Sequence, residues 1–205
     1  MARPLHRPHS CGRCDATVRR ASVARHPHVR LRAARLSARA RFHSRRRTAA
    51  YETAVALALE GVEAAFERAG EIRMLRTHGD CHPSNVLWTD AGPHFVDFDD
   101  SRMAPAVQDL WLLLPGDRAG ASRALADLLA GYEDFCEFEP RELHLVEALR
   151  TLRLIHYAAW LARRWDDPAF PAAFPWFNTH RYWEARVLEL REQIGAMQEG
   201  PLWPV

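Results

Sequence analysis

Thr77-His78-Gly79-Asp80-Cys81-His82-Pro83-Ser84-Asn85-Val86-Leu87-Trp88, followed by Thr89-Asp90-Ala91-Gly92-Pro93 and then His94-Phe95-Val96-Asp97-Phe98-Asp99-Asp100, is the stretch from which the rest of the 205-residue sequence is read. Two short apolar runs, Val86-Leu87-Trp88 and His94-Phe95-Val96, flank a turn containing Gly and Pro, the pattern of a β-hairpin. A hairpin returns the chain beside the loop it left. Asp97 therefore comes back next to the loop bearing Asp80 and Asn85, and two carboxylates and an amide oxygen gather within reach of one hard cation and a phosphate.

Outward from this stretch the sequence is helical. Upstream, Val55, Leu59, Val62 and Phe66 recur at helical spacing, with Glu60, Glu63 and Glu67 on the other side and Gly70 ending the run, which predicts an amphipathic helix beginning near Ala49. Downstream, Ala106 to Leu114, Ala119 to Phe135, Pro140 to Arg164 and Thr179 to Gln198 read as helices. Pro168 to Phe177 reads as an ordered loop packed by its own aromatic side chains. In the long segment from Pro140 to Arg164, Leu145, Leu149, Leu152, Ile155 and Trp160 form the expected buried stripe, and its arginines are read as solvated or salt-bridged. The tryptophans are read as packing.

The net charge of +2 hides two unlike regions. Residues 1–50 carry 14 Arg against one acid, Asp15, a balance of +13, whereas residues 51–205 carry 14 Arg against 25 acids, a balance of −11. No lysine occurs anywhere. The first 48 residues lack the apolar periodicity of a buried face and are expected to be a disordered head. Their Arg, Ala, His and Pro content is also what a GC-rich gene read out of frame yields, so a mistranslated head is the companion expectation. Nucleic-acid binding by this head is not favoured, since only Phe42 interleaves the arginines. Cys11-Gly12-Arg13-Cys14 lacks the second ligand pair of a zinc site. No run approaches the ~20 apolar residues of a membrane span and no signal-peptide core is present, so the protein is expected to be a cytoplasmic monomer with reduced thiols.

Phosphoryl transfer asks a protein for a carboxylate to orient the acceptor hydroxyl, oxygen ligands for Mg2+ and a cradle for phosphates. Protein kinases place the first two on a loop reading H-R-D-L-x-x-x-N, followed by D-F-G. His78, Asp80 and Asn85 keep that spacing, and Asp97-Phe98-Asp99 stands where D-F-G would. His78 is expected to bond backbone groups. His82, Asp99 and Asp100 are read as either site residues or a solvated turn, and Cys81 as a thiol whose oxidation would touch the loop. Each piece alone is an ordinary turn or strand end; spacing, hairpin and helical tail carry the reading together.

The loop resembles that of the aminoglycoside phosphotransferase and choline kinase superfamily, which uses H-G-D. Within it, Phe95 to Arg102, Met103 to Trp111, Ala159 to Trp165, Asp167 to Pro171 and Phe174-Pro175-Trp176 resemble the bacterial stress response kinase A family of serine/threonine kinases, over roughly residues 49–205. The resemblance implies a mostly α fold with a small β-hairpin, the C-terminal lobe of the protein-kinase-like fold, without the N-terminal β lobe. It implies Asp80 as catalytic base, Asn85 and Asp97 as Mg2+ and nucleotide ligands, Asp109 as a brace beneath the loop, and Mg2+ and ATP as cofactors. It also implies a protein Ser/Thr hydroxyl as acceptor. Relatives carry a phosphate-binding lysine before the first helix, for which Arg is a poor substitute, so the chain by itself is expected to be inactive. The loop is equally compatible with a small-molecule hydroxyl kinase acting on an aminoglycoside, choline or homoserine, or with a catalytically dead remnant.

Overall fold

The structure is a computed structural model that describes residues 20–21 and 45–204; the head's Cys11 and Cys14 lie outside these. Its longest element, helix α1 (Arg45–Ala69), begins one turn before the expected Ala49. Its buried face is mostly alanine: Ala54, Ala58, Ala65 and Ala69 are buried, together with Val55 and Val62, at spacings of three, four and seven residues. Leu59 and Phe66, expected on this face, lie at its margins. Small side chains let a second helix approach closely. That helix is α6 (His180–Gln198), and at the crossing a Cβ on Gly61 would stand 2.7 Å from the terminal carbon of Met197. Gly70 stops α1 with φ +68°, its N–H donating to the Phe66 carbonyl at 3.0 Å, a left-handed cap that glycine adopts without steric cost.

Helix α4 (Val146–Arg164) packs against both. Its buried positions include the predicted Leu149 and Ile155, while Trp160 is half-buried. Among the described residues the core lies in two large clusters and a smaller one of Val62, Ala65, Ala148 and Met197 between α1, α4 and α6. One large cluster surrounds Tyr51, Val55, Ile155, Leu161 and Trp183, and the other gathers Val107, Trp111, Leu125, Leu145 and Leu149 under the loop that carries the candidate site.

Among the described residues, three two-stranded antiparallel ladders complete the fold. Strand β1 (Arg20–Ala21) pairs with β2 (Ile72–Arg73). Strand β3 (Leu75–Thr77) pairs with β6 (Arg102–Ala104), Leu75 opposite Ala104 and Thr77 opposite Arg102. The predicted hairpin is β4 (Val86–Thr89) against β5 (Gly92–Phe95), with Val86 opposite Phe95 and Thr89 opposite Gly92. The β3–β6 ladder closes the base of an excursion running from His78 to Ser101, so loop and hairpin hang from one clamp.

Four segments depart from the predicted pattern. The expected helix from Ala106 is a four-residue α2 (Val107–Leu110) that tightens into a 3-10 turn over Trp111–Leu113. The helix expected from Pro140 begins as a 3-10 turn, Pro140–Leu145, before α4. Helix α3 (Arg118–Glu133) starts one residue earlier and ends two residues earlier than expected, with Asp117 capping it by accepting the Gly120 N–H at 2.6 Å. Pro168 to Phe177 is not simply a loop. It contains helix α5 (Ala169–Ala173), because Pro168 is tolerated at a helix start and Phe170 and Phe174, one turn apart, both pack on Trp160. Among the described residues, no helix is long and apolar enough to cross a membrane.

Candidate active site

Strand β3 delivers the chain into the loop at His78, and the loop backbone is held from beneath. One carboxylate oxygen of Asp109, on α2, accepts the N–H of His78 at 2.7 Å, and the other accepts that of Gly79 at 2.8 Å. A carboxylate accepting two backbone donors is a strong, geometrically specific anchor. Asp109 thus braces the loop and does not simply sit at a helix start. Helix α2 is itself held: Oε2 of Glu142, a residue only 2% exposed, accepts the Val107 N–H at 2.9 Å. Burial pushes the Glu142 carboxyl up to about 7, and the hydrogen bond from Val107 only partly offsets this.

Gly79 must be glycine here. Its φ is +90°, and a Cβ would lie 2.2 Å from the backbone oxygen of Asp100. Its carbonyl accepts from Arg102 Nη2 at 2.7 Å and Gln108 Nε2 at 3.0 Å. His78 is structural, as expected. Its Nε2 donates to the Val96 carbonyl at 2.8 Å, its Nδ1 accepts the Asp80 N–H at 3.4 Å, and its ring packs against Phe98 at a 41° tilt with centroids 4.6 Å apart. One imidazole therefore links the loop to both ends of the Asp97 segment.

Asp80 and Asn85 are tied together. The 3-10 turn Pro83–Asn85 buries Asn85, whose Nδ2 donates to the Asp80 carbonyl at 3.0 Å. The amide oxygen then remains as an acceptor. Asn85 also receives the Val96 N–H on its backbone carbonyl at 3.1 Å, which brings Asp97 to the loop. Asp97 has φ +65°, a left-handed conformation that Asp tolerates, and is exposed. Asp99 and Asp100 follow in an exposed 3-10 turn, Phe98–Asp100. The donor set fits Mg2+: an amide oxygen and a carboxylate, both hard, suit an ion that normally takes only one or two protein carboxylates and completes its shell with water and phosphate oxygens. Among the described residues there is no preassembled group of three or more His, Cys, Asp and Glu side chains suited to a metal.

The Asp80 carboxylate has two basic side chains beside it. His82 Nε2 stands 3.6 Å from Oδ2, and Arg153 of α4 bonds Oδ1 through Nη1. Sequence reasoning missed Arg153 as a site residue because 73 positions separate the partners and nothing local marks it. Gln108 and Glu142 were missed for the same reason. Cys81 is buried, and burial followed by the charges of Asp109 and Asp80 raises its thiol pKa, which disfavours the reactive thiolate.

The family model of the phosphotransferase enzyme family matches residues 6–146, so the match takes in most of the Arg-rich head as well as the loop and hairpin. Stress response kinase A of Escherichia coli (strain K12) is 51% identical over 132 residues, which are 64% of this chain and 40% of that protein. The serine/threonine protein kinase RdoA of Salmonella typhimurium is 50% identical over 128 residues, 62% of this chain and 39% of its own length. The chain thus spans about 40% of the length of the curated relatives it matches. A solved structure of amicoumacin kinase hAmiN, in complex with AMP-PNP, Ca2+ and Ami, superposes with a TM-score of 0.53 at 16% identity, over 91% of this chain and 52% of that one. That likeness shows the kinase-like fold, and the mostly helical described residues with their small antiparallel ladders are consistent with its C-terminal lobe. By the family match, which covers more than half of its length, the chain belongs to the phosphotransferase enzyme family.

Proposed function

We propose that this chain carries the catalytic loop and metal ligands of an ATP-dependent, Mg2+-requiring kinase that phosphorylates Ser or Thr hydroxyls of protein. The observation that carries the reading is the bond from Asn85 Nδ2 to the Asp80 carbonyl, because it ties a cation ligand to the residue that would receive the acceptor. Asp80 orients the acceptor hydroxyl, whose oxygen forms the new P–O bond as the bond to ADP breaks and whose proton passes to the Asp80 carboxylate. Asn85 and Asp97 hold Mg2+, which when bound with ATP neutralises charge on the transferring group. Asp109, Gly79 and His78 keep the loop rigid while this happens. The name of one relative at 50% identity, the serine/threonine protein kinase RdoA, supports a protein acceptor over a small-molecule one.

We divide the chain at residue 48, into an Arg-rich head and the catalytic lobe of 49–205, and place the protein in the cytoplasm. With no lysine to meet nucleotide phosphates, the chain by itself should bind ATP weakly and turn it over poorly. Two variants made in an intact relative test the roles. Replacing the residue equivalent to Asp80 by Ala should abolish transfer, and replacing the equivalent of Asp97 by Ala should mainly remove Mg2+-dependent nucleotide binding. Unchanged transfer in the first, or unchanged Mg2+ dependence in the second, would sink the corresponding assignment.

A further inference from the structure

We propose that the exposed face of α4 leading away from Asp80 is the acceptor track of this site, and that it takes an extended acidic peptide. The proposal rests on the kinase reading above, since it makes Asp80 the start of the track. Arg153, Tyr157, Trp160 and Arg164 are spaced by four, three and four residues, which at 100° per residue keeps them within about 60° of one helix face. The Arg153 side chain is 45% exposed and bonds Asp80 through one nitrogen, leaving other guanidinium donors for a second anion. One turn on, the exposed ring of Tyr157 lies parallel to Trp160, with centroids 6.1 Å apart and planes 10° from parallel. Beyond it the Arg164 guanidinium carbon sits 4.6 Å over the Trp160 ring. Among the described residues no carboxylate pairs with Arg164.

The result is a shelf of two aromatic rings with a cation at each end, on a region whose overall balance is −11. A local positive strip on an acidic lobe complements an anionic partner, and guanidiniums at both ends suit carboxylates. Its length argues for a peptide. Eleven residues of helix rise about 16 Å, the span of about five residues of extended chain and more than a single small acceptor covers. The acceptor hydroxyl would sit at Asp80, an acidic residue beside it would take the spare donors of Arg153, and a second acid about five residues along would meet Arg164.

Fluorescence anisotropy on the 205-residue chain tests this with a labelled Ser-containing nonapeptide bearing Asp at those two positions, compared with the same peptide bearing Lys there. The Asp peptide should bind and the Lys peptide should not. Either Arg164→Gln or Arg153→Gln should weaken binding about tenfold, as expected for one lost charge-assisted contact. Indistinguishable peptides, or an undiminished Arg164→Gln variant, overturn the track; Arg164 lies at its far end, so this variant decides the matter even if Arg153→Gln fails to fold. Binding of a fluorescent ATP analogue with Mg2+ is read in the same samples. Mg2+-dependent nucleotide binding without peptide preference refutes the track and leaves the kinase reading standing. Acidic-peptide binding by this chain, together with unchanged transfer by an intact relative carrying Ala at the position equivalent to Asp80, overturns the acceptor assignment together with that reading.

Discussion

Replacing Glu142 by Gln should abolish a pH dependence of stability that the wild-type fold builds in. Glu142 sits in the 3-10 turn ahead of α4, nearly fully buried, with Oε2 on the Val107 N–H. Burial raises its carboxyl from 4.5 to about 7, against the pull of the Val107 hydrogen bond and the positive charge of Arg73. The folded protein therefore holds this proton over about 2.5 more pH units than the unfolded chain, and at 1.36 kcal/mol per unit this is about 3 kcal/mol. The sign follows from proton counting. Between pH 4.5 and about 7 the folded state binds more protons, so the contribution is fully present below 4.5 and is lost as pH rises through 7. Gln keeps an acceptor oxygen for Val107 and carries no charge at any pH. Other carboxylates titrate in both proteins, so the readout is the difference between variant and wild type. Thermal or urea melts from pH 4.5 to 8 should show the variant gaining about 3 kcal/mol relative to wild type across that range, roughly 6–12 °C in melting temperature for a domain of this size. A difference that does not change with pH would refute the assignment of the titrating group.

Gly79→Ala should lower the melting temperature and disorder the loop, because the new Cβ meets the Asp100 backbone oxygen at a φ that L residues avoid; a melt matching wild type would contradict the close approach. Asp109→Ala strips the acceptor from two backbone N–H groups at a cost of about 1–3 kcal/mol each, and amide hydrogen exchange at His78 and Gly79 should accelerate. Thr179→Ala removes the cap of α6, in which Oγ1 accepts the Tyr182 N–H at 3.2 Å, and should cost about 1 kcal/mol in urea melts.

The parts of this fold that were legible in the sequence are those whose evidence is local. The loop and hairpin announce themselves through the five-residue step from Asp80 to Asn85 and the Gly92-Pro93 turn, and the structure pairs Val86 with Phe95 as that turn requires. Helix α1 was legible as a helix, yet its buried face was misplaced toward Leu59 and Phe66. Alanine contributes little to hydrophobic periodicity, although only alanine and glycine let α6 approach so closely. The Pro-rich segment after Trp165 hid a helix because proline is permitted in a first turn, and aromatic packing on Trp160 supplied the remaining stabilisation.

What the sequence could not show are contacts made at a distance. The β3–β6 clamp joins two three-residue strands across the whole excursion, and neither strand has enough alternation to be recognised alone. Glu142 reads as one more acid in a polar run until burial makes its neutral form the stable one near neutrality. Arg153 reads as a solvated or salt-bridged arginine with no partner named, and α4 brings it to Asp80. Most residues named from sequence could contact a ligand, His78 and Asp109 being the named supports, whereas the missed Gln108, Glu142 and Arg153 act on the loop backbone, on α2 or on the Asp80 side chain. That division has a physical origin: ligand chemistry restricts residue type at short spacing, but the supports of a loop are drawn from whatever element packs beneath it. The supporting residues are therefore where this site should differ most between relatives that share its loop, and Arg153 is the one among them placed to turn such a difference into a choice of acceptor.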